Sequence, residues 1–400
     1  MKTDYDILII GGGMVGASLV KALATSSLSI ALVERHDFSQ QLQPSYDDRG
    51  IALSYASQRI YDTLELWSSF SPYSTAINTI HVSQRGHFGA TRLNAQQQQV
   101  PALGQVLLAR TIGTVLNQSL SNQDNLTLFC PNEVTKVTLA DSHITIKLTS
   151  NKVITAKLVI AADGVNSPIR QQLDLPLNTH DYQQTAITAN VTTQAPHHGR
   201  AFERFTEAGP IAFLPMSQQR ASLVWSANNR FAEQLITAND NDFLSQLQTY
   251  FGFYLGHITR IGKRSHYPLK LSYLSETVHH RLIFIGNAAH SLHPIAGQGF
   301  NLGLRDVAAL AEVLNSSPSD CGHATVLQSY QQWQKPDQQH LVAATDALVK
   351  WFQPQHPLLA NSRGLALHLL DFFPPLKQQL ARYSMGLRTP QTGLVRGHRP

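Results

Sequence analysis

Three glycines and one acid near the start of the chain have the spacing of a phosphate-binding turn. Gly11, Gly13 and Gly16 read G-x-G-x-x-G directly after the apolar run Ile7–Ile10. The first glycine permits a tight turn. The second lets a pyrophosphate approach the backbone, and the third lets a helix pack close on the strand. A helix starting near Met14 would aim its unpaired N–H groups and positive dipole end at that pyrophosphate. A second apolar run, Ile30–Val33, ends at Glu34 about 20 residues on, where a carboxylate can accept hydrogen bonds from a ribose. A glycine triplet alone is an ordinary turn. Strand, glycines, helix, strand and terminal acid together predict a dinucleotide site.

Two further clusters lie downstream. Asp163-Gly164 follows Leu158–Ala161, a continuous apolar run of the kind buried on both faces of a parallel sheet. It would sit at a strand's carboxyl end, where open α/β sheets bind ligands; standing alone it is also a plain turn. Gly286-Asn287 follows Arg281–Ile285. Pro294, Gly297, Gly299 and Asn301 then lead into a helix predicted over Leu304–Leu314. This is a second glycine-rich helix entrance. One pyrophosphate needs one entrance, so a second implies that another part of a long cofactor meets backbone here. Gly297 and Gly299 would let a flat ring lie against bare peptide N–H groups. Those groups favour negative charge on the ring, which a reduced flavin acquires. Arg49 ends a polar loop, 40–50. It could reach a phosphate or a flavin edge, or simply pair with Asp47 or Asp48.

The pattern around these clusters predicts an α/β chain. A Rossmann-type unit (1–75, 100–175 and 275–318) is interleaved with a β-sheet substrate unit (76–99 and 176–274). A helical C-terminal region, 319–388, follows, and 389–400 reads as a disordered tail. Leu126–Phe129, 132–139, 143–148 and 152–155 read as a meander. The apolar stretch 358–373 reads as a helix that packs on the body or offers a face to lipid or a partner.

Composition narrows the functions. Of 400 residues 42% are hydrophobic and 14% charged, against roughly 25% charged in typical soluble domains. The net charge is +5, but the basic residues are scattered, which argues against a nucleic-acid partner. Two distant cysteines, Cys130 and Cys321, offer neither a disulfide framework nor a metal site. No apolar run approaches the length of a membrane span, about 20 residues. The N-terminus enters the first strand without a signal-peptide pattern, so a cytoplasmic location is expected.

Taken in order, Gly11-x-Gly13-x-x-Gly16, Asp163-Gly164, and Gly286-Asn287 with Pro294 and Gly297-x-Gly299 resemble the single-component FAD-dependent aromatic hydroxylases of the para-hydroxybenzoate hydroxylase fold. Thr79–Gly86, Gly199–Pro215, Gly262–Pro268 and His293–Arg305 carry a nearer resemblance to the ubiquinone-biosynthesis group. The resemblance implies that Gly11, Gly13, Gly16 and Glu34 hold the ADP half of FAD. Asp163 and Gly164 would lie near the pyrophosphate and the NAD(P)H path. Gly286 and Asn287 would meet the ribityl chain, and residues 297–301 the isoalloxazine ring. Arg49 and Arg110 become flavin contacts. Asn287 departs from the family's usual Asp, keeping a hydrogen-bonding group but no charge.

The implied reaction is monooxygenation. NAD(P)H reduces the flavin, O2 adds at its C4a atom, and one oxygen passes to a phenol ring. The implied substrate is a prenylated phenol, 2-polyprenyl-6-methoxyphenol, converted to the benzoquinol. A base near the phenol would help, but no residue is singled out for it. The loop at Pro294 is the expected wall beside the reacting oxygen. His290 and His293 are candidate proton carriers, although lone loop histidines are more often structural. Phe213, Leu214, Pro215 and Trp225 are candidates for the apolar substrate slot, or simply core. The prenyl tail implies delivery from the inner face of a membrane or a lipid-carrying complex, and a homo-oligomer stays open. The rival readings are hydroxylation at another ring position, a flavin reductase acting on a prenyl chain, and a non-enzymatic prenyl-binding protein on the same scaffold.

Overall fold

A computed structural model describes residues 2–38, 48–87, 89–121, 123–316, 320–352, 368, 371, 373–387 and 390–399. Its first sheet is built on the apolar runs that open the chain. Tyr5–Ile10 lies between Ile30–Val33 and Val153–Ala161, parallel to both. Leu126–Phe129 adds beyond Ile30–Val33, and Leu282–Phe284 beyond Val153–Ala161, also in parallel. These five strands therefore end on one edge of the sheet. Ile7, Leu8, Ile9 and Leu32 are fully buried, because helices cover one face of the sheet, over Ile7, Ile9 and Leu32, and strand residues Val134, Ile144 and Ile146 cover the other, over Leu8.

Leu126–Phe129 is thus not part of a meander. The meander begins at Val134–Leu139, which pairs with Ile144–Leu148; that strand pairs in turn with the first half of Val153–Ala161. The sequence pattern does not distinguish the two arrangements, because Leu126–Phe129 alternates polar and apolar residues as an edge strand does.

The helix Met14–Ala22 follows the first glycine turn, and the helix Gly299–Asn315 follows the second. The latter begins at Gly299 rather than at Leu304, so its N-terminus lies inside the glycine cluster. The two helices pack against each other with little between them. A Cβ on Gly303 would come within 2.9 Å of a Val15 methyl, and one on Gly286 within 3.0 Å. Both glycines are smooth faces against which Val15 seats, and this brings the distant entrances together.

The second sheet runs in the order His290–Ser291, Ser265–Tyr273, Asn178–Thr193, Arg220–Asn228, Ile211–Pro215, Arg200–Phe205, Thr79–Gln84, Ala90–Asn94. Helices Asn229–Thr237 and Asp240–Phe251 cover one of its faces. A smaller antiparallel sheet of Gly50–Ser54, Gly104–Leu108 and Thr75–Ile77 sits at the junction. The long helix Ala324–Phe352 and the helix Pro374–Ser384 complete the described C-terminal region. Apart from 368, 371 and 373, the predicted apolar helix 358–373 lies outside the described residues.

The tail is ordered where it is described. Residues 393–396 form a helical turn, with Leu394 and Val395 buried. Arg59 Nε and Thr63 Oγ1 donate to the carbonyls of Val395 and Leu394, at 2.5 and 2.9 Å. Gly393 N–H donates to Glu312 at 2.6 Å. Two apolar side chains and three hydrogen bonds are enough to hold a segment whose composition reads as disordered.

Candidate active site

Every cofactor residue expected from the first sheet sits just past the carboxyl end of a parallel strand. Gly11 follows Ile10, Glu34 follows Val33, Asp163 follows Ala161 by two, and Gly286 follows Phe284 by two. Parallel pairing, not sequence distance, gathers them. They line one wall of a cavity of about 1570 Å³, larger than the roughly 300–1,000 Å³ that holds a drug-sized ligand. Gly13, Gly164, Asn287, Pro294, Gly297, Gly299 and Asn301 line the same cavity.

The glycines earn their places by geometry. Gly11 has φ +102°, and a Cβ there would lie 2.5 Å from the carbonyl oxygen of Ala162. A Cβ on Gly16 would lie 1.9 Å from the carbonyl oxygen of Gly11, so the helix approaches the turn only with hydrogen at that position. At Gly299 a Cβ would meet nothing within 4 Å, because that position faces open cavity. Glu34 is 6% exposed. Its Oε2 accepts from Gly12 N–H at 2.6 Å and its Oε1 from His36 N–H at 2.8 Å, which pins the carboxylate while leaving each oxygen a lone pair for ribose hydroxyls. Burial pushes the Asp163 carboxyl up to about 6, against the hydrogen bond from Ser167 Oγ at 2.8 Å.

Asn301 holds the protein together rather than standing free for a ligand. Its Oδ1 accepts from Ser54 N–H and Ser57 Oγ, at 2.8 and 2.7 Å. Its Nδ2 donates to the carbonyls of Ala52 and Gly297, at 2.8 and 2.7 Å. It ties the second glycine loop to strand Gly50–Ser54. Arg49 lines the cavity with its guanidinium 5.5 Å from the centre of the Tyr267 ring. Arg110 does not line it. Its guanidinium pairs with Asp48 at 2.6 Å, both half exposed, so its predicted flavin contact is corrected to a surface ion pair.

The histidines are also corrected. His290 is 2% exposed, and its Nε2 lies 2.6 Å from Asp306 Oδ2. His293 is 1% exposed; its Nε2 lies 3.1 Å from Gln184 Oε1, and its Nδ1 accepts from Ile295 N–H at 3.1 Å. Burial holds His293 down to about 4, so the ring is neutral at neutral pH, with its one N–H on Nε2 facing Gln184 Oε1. Neither lines the cavity. Both brace the loop that presents Pro294.

Of the four residues expected in the substrate slot, only Leu214 faces the cavity. Phe213 and Trp225 are 1% and 0% exposed and pack on the other face, against Phe251, Phe231 and Phe243. Pro215 shares the Phe213 face by strand alternation. Ala212, Leu214 and Val224 line the slot instead, with Ile80, Val82 and Phe205. Phe213→Ala is accordingly expected to lower stability by about 3–5 kcal/mol and leave KM for substrate unchanged. Leu214→Trp should raise KM with little change in stability. Denaturant melts and steady-state kinetics on the two variants check both expectations.

Four features escaped the sequence reading. Val15 seats against both Gly286 and Gly303. Asp306 receives the buried hydrogen bonds beneath Gly286. Glu203 and Tyr267 line the cavity from the second sheet. Only the alternation of strand Arg200–Phe205 hints at Glu203, by placing it on one face with Ala201 and Phe205.

A long cavity with a glycine cradle at each end fits an extended dinucleotide bearing a flat ring, and the fold around it is that of the para-hydroxybenzoate hydroxylase-like flavoproteins. The class is the FAD-dependent monooxygenases. The chain belongs to the family described as FAD binding domain, whose model matches residues 4–345. It is 34% identical to ubiquinone hydroxylase UbiL of Rhodospirillum rubrum, over 95% of this chain and 89% of that one. It is 31% identical to the 3-demethoxyubiquinol 3-hydroxylase of Escherichia coli, over 96% and 98%. Among solved structures, p-nitrophenol 4-monooxygenase PnpA from Pseudomonas putida shares the fold. Its TM-score is 0.79 over 96% of this chain and 99% of that one, at 16% identity.

Proposed function

We propose that this protein hydroxylates a prenylated phenol in ubiquinone biosynthesis, with 2-polyprenyl-6-methoxyphenol as the substrate and the corresponding benzoquinol as product. The observation that carries the reading is the cavity's second half. Beyond the glycine cradle it continues as an apolar slot walled by Ile80, Val82, Leu214, Leu348 and Phe352. FAD held by the glycine turns would leave this space for a greasy ring and tail. The names of the two relatives support the pathway; they differ on the substrate, which keeps the ring position a matter for experiment.

When bound, FAD supplies hydride acceptance and oxygen activation. The chain does the rest. The turn Gly11–Gly13 and Glu34 would hold the adenosine end, and the N-terminus of helix Gly299–Asn315 would offer its positive dipole end to the ring. The apolar slot excludes water, which would otherwise divert the activated oxygen. Trp351, Phe373 and Leu376 are 51%, 62% and 51% exposed and line the cavity's outer rim. In this reading the tail leaves there, and the rim lies against the inner face of a membrane or a lipid-carrying complex.

The test is direct. Purified protein should be yellow, consume O2 only when the phenol and NAD(P)H are both present, and yield a product one oxygen heavier. A colourless protein after reconstitution would support the prenyl-binding reading. Reduction of the prenyl chain without oxygen uptake would support the reductase. Mass spectrometry of the quinone precursor that accumulates on gene removal identifies the ring position.

A further inference from the structure

Strand Arg200–Phe205 pairs with Thr79–Gln84 on one side and Ile211–Pro215 on the other. Glu203 lies opposite Val82 and Ala212. Its neighbours on the cavity face of its own strand are Ala201 and Phe205. Glu203 is therefore a carboxyl set in an apolar wall. A carboxyl partly buried among apolar groups is retained at a cost unless something binds it. The backbone N–H of Ala296 favours its charged form. Ala296 is itself unusual, a non-glycine residue at φ +58°, in the loop between Pro294 and Gly297. A left-handed alanine costs about 1–2 kcal/mol and persists where surrounding contacts hold it. Glu203 and the 294–297 loop line the same cavity.

We propose that Glu203 holds the hydroxyl of the phenol substrate and accepts its proton. This rests on the hydroxylase reading above. The phenol O–H bond breaks, its electron pair stays on oxygen, and the proton passes to a carboxylate oxygen of Glu203. The electron-rich ring then takes one oxygen at a ring carbon. The hydrogen on that carbon then leaves as a proton to the second oxygen atom of O2, which departs as water; as aromaticity returns, Glu203 gives its proton back to the phenol oxygen, so the carboxylate is restored and no proton is gained or lost at the residue.

The surroundings suit this task. Burial pushes the Glu203 carboxyl up to about 7, with the Ala296 N–H opposing it, and a base near the working pH is the efficient one. The adjoining strands present Val82 and Ala212, while Arg204 turns to the opposite face, over the Tyr254 ring. Arg49, Tyr267 and Tyr383 are the titratable side chains that share the cavity with Glu203 on the side away from the nucleotide sheet.

The test compares wild type with Glu203→Gln, using 2-geranyl-6-methoxyphenol and its methyl ether as probes. Both proteins should carry the same FAD content, which shows that the variant folds. Wild type should bind the phenol roughly tenfold or more tightly than the ether, and the variant should lose that preference. Product formation should fall about 10²-fold or more in the variant. The acid limb of its pH profile, centred near 7 in wild type, should vanish. Equal phenol preference and equal rates in the two proteins overturn the proposal while leaving the hydroxylase reading intact. A wild type that inserts no oxygen but loses its phenol preference on Glu203→Gln overturns the hydroxylase reading and keeps Glu203 as the phenol's partner.

Discussion

Gly299→Leu is expected to give a stable, colourless protein. A Cβ at this position meets nothing within 4 Å, so a side chain can start there without displacing backbone. Leucine also stands at the first position of a 17-residue helix, where it is a better helix former than glycine. Its side chain must therefore project into the cavity, where the flat ring of FAD would lie. The affinity for FAD should fall by about 10²-fold or more, each tenfold being 1.4 kcal/mol. The melting temperature of the flavin-free protein should stay the same or rise. Gly16→Ala makes the contrast. There the added carbon would sit 1.9 Å from the carbonyl oxygen of Gly11, so flavin binding and stability should be lost together. Flavin titration with thermal melts on both variants separates a blocked site from a broken fold. Normal flavin uptake by Gly299→Leu would remove the second cradle from the cofactor site.

Asp306→Asn should cost about 3–5 kcal/mol, although it alters a single atom far from any solvent. The carboxylate is fully buried. Its Oδ2 accepts from Gly286 N–H at 3.0 Å and lies 2.6 Å from His290 Nε2. Its Oδ1 accepts from Gln334 and Gln338, at 2.8 and 2.9 Å. Only an acceptor on both sides suits these partners. An amide turns its NH2 toward donors on one side and leaves them unpaired. Gly286 and Asn287 would lose their support, so flavin affinity should fall as well.

The same site sets a pH dependence. Burial alone would raise the Asp306 carboxyl, but His290, the Gly286 N–H and Gln338 together hold it below its ordinary 3.8. The unfolded chain then binds this proton more readily than the folded one. The carboxylate's contribution is complete above about pH 4 and is lost as pH falls through the folded value. Denaturant melts from neutral to acid pH should show a smaller acid loss in Asp306→Asn than in wild type. Identical slopes in the two proteins would show that this carboxylate is not coupled to folding.

The glycine turns and the terminal acid were legible in the amino-acid sequence because their requirements are local. A tight turn at Gly11, a close helix at Gly16 and an acid at the end of a strand each depend on a few neighbouring residues. The strands they terminate are apolar runs that only a buried parallel sheet accommodates. The interleaving was legible too, since apolar runs of that kind recur at Leu158–Ala161 and Arg281–Ile285.

The substrate half was decided by tertiary structure. Strand alternation says that Phe213 and Pro215 share a face and that Leu214 takes the other. It does not say which face meets helices and which meets the cavity, because both are apolar. His290 and His293 looked like chemistry until burial and their partners, Asp306 and Gln184, showed them to be braces. Glu203, between Phe202 and Arg204 in sequence, is turned toward the cavity by the pairing of its strand with Val82 and Ala212. Turns that bind phosphate are properties of short stretches of backbone, and the order of residues determines them. A slot between a sheet, a loop and distant helices exists only once those parts have packed.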